Sequence, residues 1–264
     1  MSRNAVGPSS VPTLAKNQKG TSSRKKQARR DRLTRTKERA ALVNAANAQH
    51  DLLSGHDTFR TYTCNDLDVR VEDSVGPALS ETDIDECIAL LRANMAELYK
   101  NSSWGWDEDE KRAGLVEPAS RLVLLREQPQ PSVSDAPDDD WVLVDHPEKL
   151  DAPPRARIVG FLHLQFVIEN EKPVLYVLEL QLMQEVREKG LGKFLMHFAE
   201  VIARQHGMEA LMLTVFKSNK KAFDYYRQKL RYNIDASSPS KWNREADYEI
   251  LSKPVDEQVS ARSS

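Results

Sequence analysis

Two places in the chain carry residue types that chemistry can use. The first is Arg187-Glu188-Lys189-Gly190-Leu191-Gly192, which follows one apolar stretch and opens another. Glycines at 190 and 192 let a backbone come close to a ligand, and a helix beginning there presents unpaired N–H groups to an anion. Arg187 and Lys193 add positive charge beside it. The turn suits a phosphate-bearing ligand, but taken alone it is equally an ordinary strand-to-helix turn. The second place is Glu179, which interrupts the apolar run from Val174 to Met183. An unpaired carboxylate in a strand is costly. Glu179 is therefore either a base facing a substrate or a carboxylate paired at a sheet edge.

The elements that must position these groups follow from periodicity and punctuation. Val174 to Met183 reads as a strand, Leu191 to His206 as a helix closed by Gly207, and Leu211 to Phe216 as a strand. Asn219 caps a helix to about Leu230, and Tyr248 to Leu251 is a closing strand. Upstream, Ile158 to Ile168 is a strand, separated from the next by a turn over Glu169 to Pro173. Arg121 to Arg126 is a strand, Asp107 to Val116 a short helix and Phe59 to Val71 a strand. Ser80 caps a helix through Asn101, with Ile84, Ile88, Leu91, Met95 and Leu98 on one stripe. The order implies an α/β (α+β) fold, a central mixed, twisted sheet flanked by helices. Residues 56–255 form its domain, and 128–157, with six prolines and the acidic run Asp138-Asp139-Asp140, is a mobile insertion that a strand at 141–144 extends. Residues 1–23 and 256–264 read as tails, the first disordered.

Between them lies a segregation of charge. The net charge is −2, yet Lys16 to Arg39 carries eleven basic and two acidic residues, whereas 41–264 holds 26 basic and 38 acidic ones. Residues 24–53 read as a long basic helix that Gly55 ends. Its charge is either a solvated face or a patch for nuclear import or nucleic acid, while the acidic body attracts a cationic substrate. No run approaches the roughly 20 apolar residues a bilayer requires, and no apolar signal-peptide core is present, so no membrane is expected. Cys64 and Cys87 have no metal-ligand spacing and, like His163, His197 and His206, read as structural; no metal is expected. Two cysteines suit a reducing compartment, nucleus or cytoplasm.

Nucleotide-binding readings fail on the residues. The three-glycine dinucleotide fingerprint is absent, and Gly192-Lys193 is followed by Phe194 where a phosphate-loop kinase motif needs Ser or Thr. Arg-x-x-Gly-x-Gly at 187–192, the strand ending Glu179-Leu180-Gln181-Leu182, and Asn219-x-x-Ala222-x-x-x-Tyr226 together resemble the GNAT acetyltransferase superfamily. Trp104-Gly105-Trp106, Met212-Leu213-Thr214-Val215-Phe216-Lys217 and Ser237-Ser238-Pro239 with Tyr248-Glu249-Ile250-Leu251-Ser252 are similar to its NatD-type, histone-directed N-alpha-acetyltransferases, over about 59–253.

The resemblance implies acetyl transfer from acetyl-CoA to the N-terminal amine of histone tails beginning Ser-Gly-Arg-Gly. The open alternative is an acetyltransferase of the same fold acting on lysine side chains or small amines. It implies Glu179 as catalytic base. It places Leu180, Gln181, Leu182, Arg187, Glu188, Lys189, Gly190, Leu191, Gly192, Lys193 and Asn219 at the cofactor, Asn219 also as a cap. Tyr99, Trp104, Glu169, Tyr176, Thr214 and Tyr248 map onto acceptor-binding positions. The chain departs from the pattern at Val167, where relatives carry an acid, and at Leu178, where they carry a tyrosine. Either Glu169 acts alone or an acid of 138–140 substitutes. Tyr226 stands in the place of an acid that such chemistry barely needs. The basic helix over 24–40 implies contact with ribosome or nucleic acid, beside the histone tails themselves.

Overall fold

The computed structural model describes residues 18–64, 66–128 and 156–255. Residues 1–17 of the expected tail, 129–155 of the expected insertion with its strand at 141–144, and the tail 256–264 lie outside the described residues.

The apolar alternations become eight strands: β1 (Thr61–Cys64), β2 (Leu67–Val75), β3 (Arg121–Glu127), β4 (Ile158–Glu169), β5 (Lys172–Leu182), β6 (Ala210–Phe216), β7 (Asn233–Ile234) and β8 (Tyr248–Pro254). They form one sheet in the order β1-β2-β3-β4-β5-β6-β8-β7. Among the described residues only β5 and β6 run parallel, which makes the sheet mixed as the sequence implies.

Helices cover both faces. On one side lie α1 (Gln18–Asn47) and α4 (Leu191–Gln205); on the other lie α2 (Glu81–Lys100) and α3 (Glu108–Leu115). β3 shows the result, because its side chains alternate between two cores. Val123 and Leu125 join α1's Val43 and Ala46 and α4's Leu195 and Phe198. Leu122 and Leu124 join α2's Ile84, Ile88 and Leu91. Each buried Val, Leu, Ile or Phe among them contributes about 1.5–3 kcal/mol, and the stripe on α2 is thereby accounted for. Ser80 Oγ accepts from Asp83 N at 3.2 Å and starts α2 where expected. Arg126, buried, donates to Glu72 at 2.7 Å and Asp83 at 2.6 Å and ties that helix start to the sheet.

Three boundaries differ from the sequence reading. α1 begins at Gln18, inside the expected tail, and ends at Asn47 rather than near residue 53. Side chains take over the backbone there: Asp51 Oδ1 accepts from Leu53 N and Asp73 Oδ2 from Leu52 N, both at 2.8 Å. Such bonds compete with helix and turn Leu52 and Leu53 into the core. The expected strand Phe59 to Val71 is a hairpin, β1 and β2, whose connection has Asp66 at φ 59, a conformation Asp tolerates. The expected helix from Asn219 to Leu230 is α5 (Lys220–Asp224) followed by a π turn over Tyr225–Lys229. β7 and the 3₁₀ turn Pro239–Trp242 are too short to leave a periodic signal.

Candidate active site

β5 and β6 pair only from Val174/Ala210 to Val177/Leu213, although β5 continues to Leu182 and β6 to Phe216. Beyond Val177, β6 no longer pairs with that edge of β5. On its other edge β5 carries a bulge: His163 pairs with Glu179 but Leu164 pairs with Val177, which leaves Leu178 as the extra residue. An inserted residue reverses the faces of everything after it. Accordingly Leu175 and Val177 belong to the α4-side core before the bulge, and Leu180 and Leu182 after it. Glu179 therefore shares a face with Tyr176 and turns toward α2.

That face floors a cavity of about 650 Å³. Glu179 is held there by two donors, Gln181 Nε2 at 2.8 Å and Tyr99 OH at 3.3 Å. Burial raises its pKa above the usual carboxylate range, and the bonds from Gln181 and Tyr99 and the charge of Lys111 act in the opposite direction. Burial likewise raises the Tyr99 and Tyr226 phenols, so both are protonated at neutral pH. His163, also on the wall, bonds Ser120 Oγ at 2.8 Å, and burial pushes its pKa down to about 4, which makes it a neutral structural group.

Aromatic rings build the mouth. Trp104, 49% exposed, lies 5.0 Å from Tyr248 and 5.3 Å from Phe216 between ring centres, and Tyr99 packs edge-on to Phe216 at 5.0 Å. Ser103 N donates to Asp247 Oδ2 at 2.5 Å and fastens this loop to the start of β8. Tyr176 and Thr214 bond each other through their hydroxyls at 2.5 Å across β5 and β6. Glu169 and Val167 line the same cavity from β4. Five of the six acceptor residues implied by the sequence, Tyr99, Trp104, Glu169, Tyr176 and Thr214, thus line one cavity with Glu179, and Tyr248 packs behind Trp104 at its mouth.

The glycine turn stands at the start of α4. Gly190 is the N-cap at φ 96, and no side chain caps the helix, so the first-turn N–H groups of Leu191, Gly192 and Lys193 are available to an anion. Tyr62 OH from β1 donates to Lys189 O at 2.6 Å and fixes the turn from outside. Two side chains expected at the cofactor are committed elsewhere. Arg187 donates to Leu182 O at 3.1 and 3.0 Å and also to Asn94 Oδ1, and it braces the turn against β5. Glu188 pairs with Lys221 at 2.6 Å. The side chains of Leu180 and Leu182 pack on the core, which leaves their backbone as what β5 can offer a ligand. Gln181's side chain holds Glu179 instead. Asn219 caps α5 by accepting from Ala222 N at 3.2 Å and also lines the cavity.

Sequence reasoning missed Asn94, Glu110, Lys111, Glu117 and Gln165. Asn94 is the most telling, because its amide donates to Gln181 Oε1 at 2.9 Å and to Leu182 O at 3.1 Å while accepting from Arg187. One chain of hydrogen bonds therefore runs from the glycine turn to Glu179. The signal was a polar residue beside Met95 of the apolar stripe of α2.

A bare helix N-terminus beside an unpaired strand edge can hold a phosphate-bearing, amide-containing acyl carrier, and a recessed carboxylate can take a proton from an acceptor. Together they suit acyl transfer. Residues 119–231 of the chain match the acetyltransferase (GNAT) family. Among solved structures it is similar to a putative GNAT-family acetyltransferase from Desulfovibrio desulfuricans, at 11% identity and TM-score 0.47, covering 71% of this chain and 99% of that one. It is also similar to the ribosomal-protein-S18-alanine N-acetyltransferase from Escherichia coli, at 14% identity and TM-score 0.43, over 74% and 99% of the two chains. NAA60 of Arabidopsis thaliana, solved with a bisubstrate analogue, is similar at 12% identity and TM-score 0.45, over 70% and 99%.

Proposed function

We propose that this enzyme is a NatD-type N-alpha-acetyltransferase, moving acetyl from acetyl-CoA to the N-terminal amine of histone tails that begin Ser-Gly-Arg-Gly. The observation that carries the reading is Glu179, held by Tyr99 and Gln181 at the floor of a cavity whose mouth is aromatic and acidic. A small N-terminal serine would reach such a floor beside the bonded Tyr176–Thr214 pair, and a basic third residue would meet Glu169.

The chemistry asks for little. An α-amine has a pKa near 7.7–8.0, so about a fifth of it is neutral near pH 7.3. For the rest, one N–H proton passes to Glu179, whose raised pKa brings donor and acceptor closer in proton affinity. Acetyl-CoA supplies an acyl group already activated as a thioester. The first-turn N–H groups of α4 would hold its phosphates, and the free N–H groups of β5 would stabilise charge developing on the acyl oxygen. Tyr226, a protonated phenol on the cavity wall, is placed to return a proton to the departing thiolate, which at a thiol pKa of ~8.5 needs little help.

Mass spectrometry of a Ser-Gly-Arg-Gly-Lys peptide after reaction with acetyl-CoA tests this. The reading requires one acetyl group on the serine amine. The acidic wall also suits lysine side chains or small amines, and acetylation of a peptide whose α-amine is blocked would establish that reading instead. We further assign the exposed basic residues of α1 over 24–40 to contact with ribosome or nucleic acid, and the protein to nucleus and cytoplasm. Loss of RNA binding on deletion of 16–40, with peptide activity kept, is the expected division.

A further inference from the structure

α3 is held rigidly above the cavity. Asp107 caps it, Glu108 accepts from Arg92 Nε of α2 at 2.7 Å, and Arg112 pairs with Asp85 and, at 3.6 Å, with Glu81 of the same helix. These anchors turn the residue between them, Lys111, toward the reacting groups. Among the described residues lining the cavity, Lys111 is the sole Lys or Arg, against Glu110, Glu117, Glu169 and Glu179. Its ammonium sits 4.0 Å from the centre of the Tyr99 ring, and Tyr99 is the phenol that bonds Glu179.

We propose that Lys111 is a positioning residue for the reaction: packed on the Tyr99 ring, it keeps Glu179 in the carboxylate form that can accept the acceptor's proton. The proposal rests on Glu179 acting as the base. A cation on the face of a phenol polarises it and fixes its plane, and so aims the hydroxyl at Glu179 Oε1. It also offsets the cost of a recessed negative charge. The arriving ammonium meets the same positive charge, which favours the neutral amine once its N–H bond breaks and an O–H bond forms on Glu179. Lys111 keeps its own protons throughout.

The other groups facing Glu179 cannot substitute. Tyr99 from α2 and Tyr226 from the π turn after α5 are protonated phenols, and His163 from β4 is neutral. Glu110 from α3, Glu117 from the turn after it and Glu169 from β4 carry the wrong sign, and Tyr176 from β5 is bonded to Thr214. Burial, the largest influence on Glu179, pushes toward the protonated acid, and Lys111 pulls against it.

The test is a carboxyl-carbon NMR titration of the full chain labelled at glutamate, with Glu179→Gln identifying the Glu179 resonance. Lys111→Met is expected to raise the Glu179 midpoint by about half a pH unit or more, and Lys111→Arg to restore it. In the pH profile of kcat/KM the acid limb moves upward by the same amount, while KM for acetyl-CoA stays within twofold. A purely structural Lys111 would lower melting temperature and activity at every pH without moving the midpoint. An unchanged midpoint in a folded Lys111→Met overturns the proposal. A moved midpoint with no turnover on the peptide would instead sink the acceptor assignment and leave the Lys111 role standing.

Discussion

Glu179 pays for its position in stability. Burial raises its pKa in the folded state, so the native protein binds a proton more readily than the unfolded chain does. That contribution is fully present below the unfolded value near ~4.3 and is lost as pH rises through the folded value. At neutral pH the carboxylate is therefore a liability, and Glu179→Gln is expected to melt at a higher temperature than wild type near pH 7. The difference should close as pH falls toward about 4; thermal melts at several pH values check it. The same substitution should cut kcat by about 10²–10⁴, with acetyl-CoA affinity by calorimetry within twofold. Gly190 is a different kind of dependence. A Cβ there would lie 2.4 Å from Tyr62 OH, on a backbone already at φ 96. Gly190→Ala should raise KM for acetyl-CoA about tenfold or more, since such strain costs on the order of 1–3 kcal/mol.

At the scale of elements, α2 acts as a beam between the two ends of the reaction. Asn94 bonds Arg187 of the glycine turn on one side and Gln181 beside Glu179 on the other. Asn94→Ala removes one partner from each, and we expect kcat to fall and KM for acetyl-CoA to rise together, each about tenfold, in steady-state kinetics. α1 divides differently. Its residues 24–38 are exposed, whereas Val43 and Ala46 belong to the core and Arg121 donates to Asn47 O at its end. Deletion through residue 35 should leave the urea midpoint unchanged, and deletion through 47 should give insoluble protein. Much of this was legible in the chain: α2's stripe, Ser80 as its cap, and the glycine turn were all read from spacing. The end of α1 was not, because Asp73, far along the sequence, supplies the acceptor that stops it. Nor was Arg187's role as a brace, because a basic residue beside two glycines reads as a ligand for phosphate until Asn94 is known to face it. Asn94 and Lys111 stayed hidden for the same reason, since each acquires meaning only from a residue on another element.

For the whole molecule, basic residues gather on α1 while the rest of the chain is acidic. An acidic body raises the local concentration of a basic peptide, an effect that salt screens within ~8 Å at physiological strength. KM for the Ser-Gly-Arg-Gly-Lys peptide should therefore rise several-fold between about 50 and 500 mM salt, with kcat unaffected. The sheet carries one more consequence, and it lies in the bulge at Leu178. A strand keeps count in twos, and β5 changes parity once, so Tyr176 before the bulge and Glu179 and Gln181 after it share the cavity face, while Leu175, Val177, Leu180 and Leu182 share the core face. Insertions or deletions in β5 thus sort by position. One residue gained or lost between Leu178 and Glu179 resets that parity and alters the facing of every later residue. A paired gain elsewhere in the strand would preserve it. Descendants of this chain can vary the composition of β5 far more freely than its length.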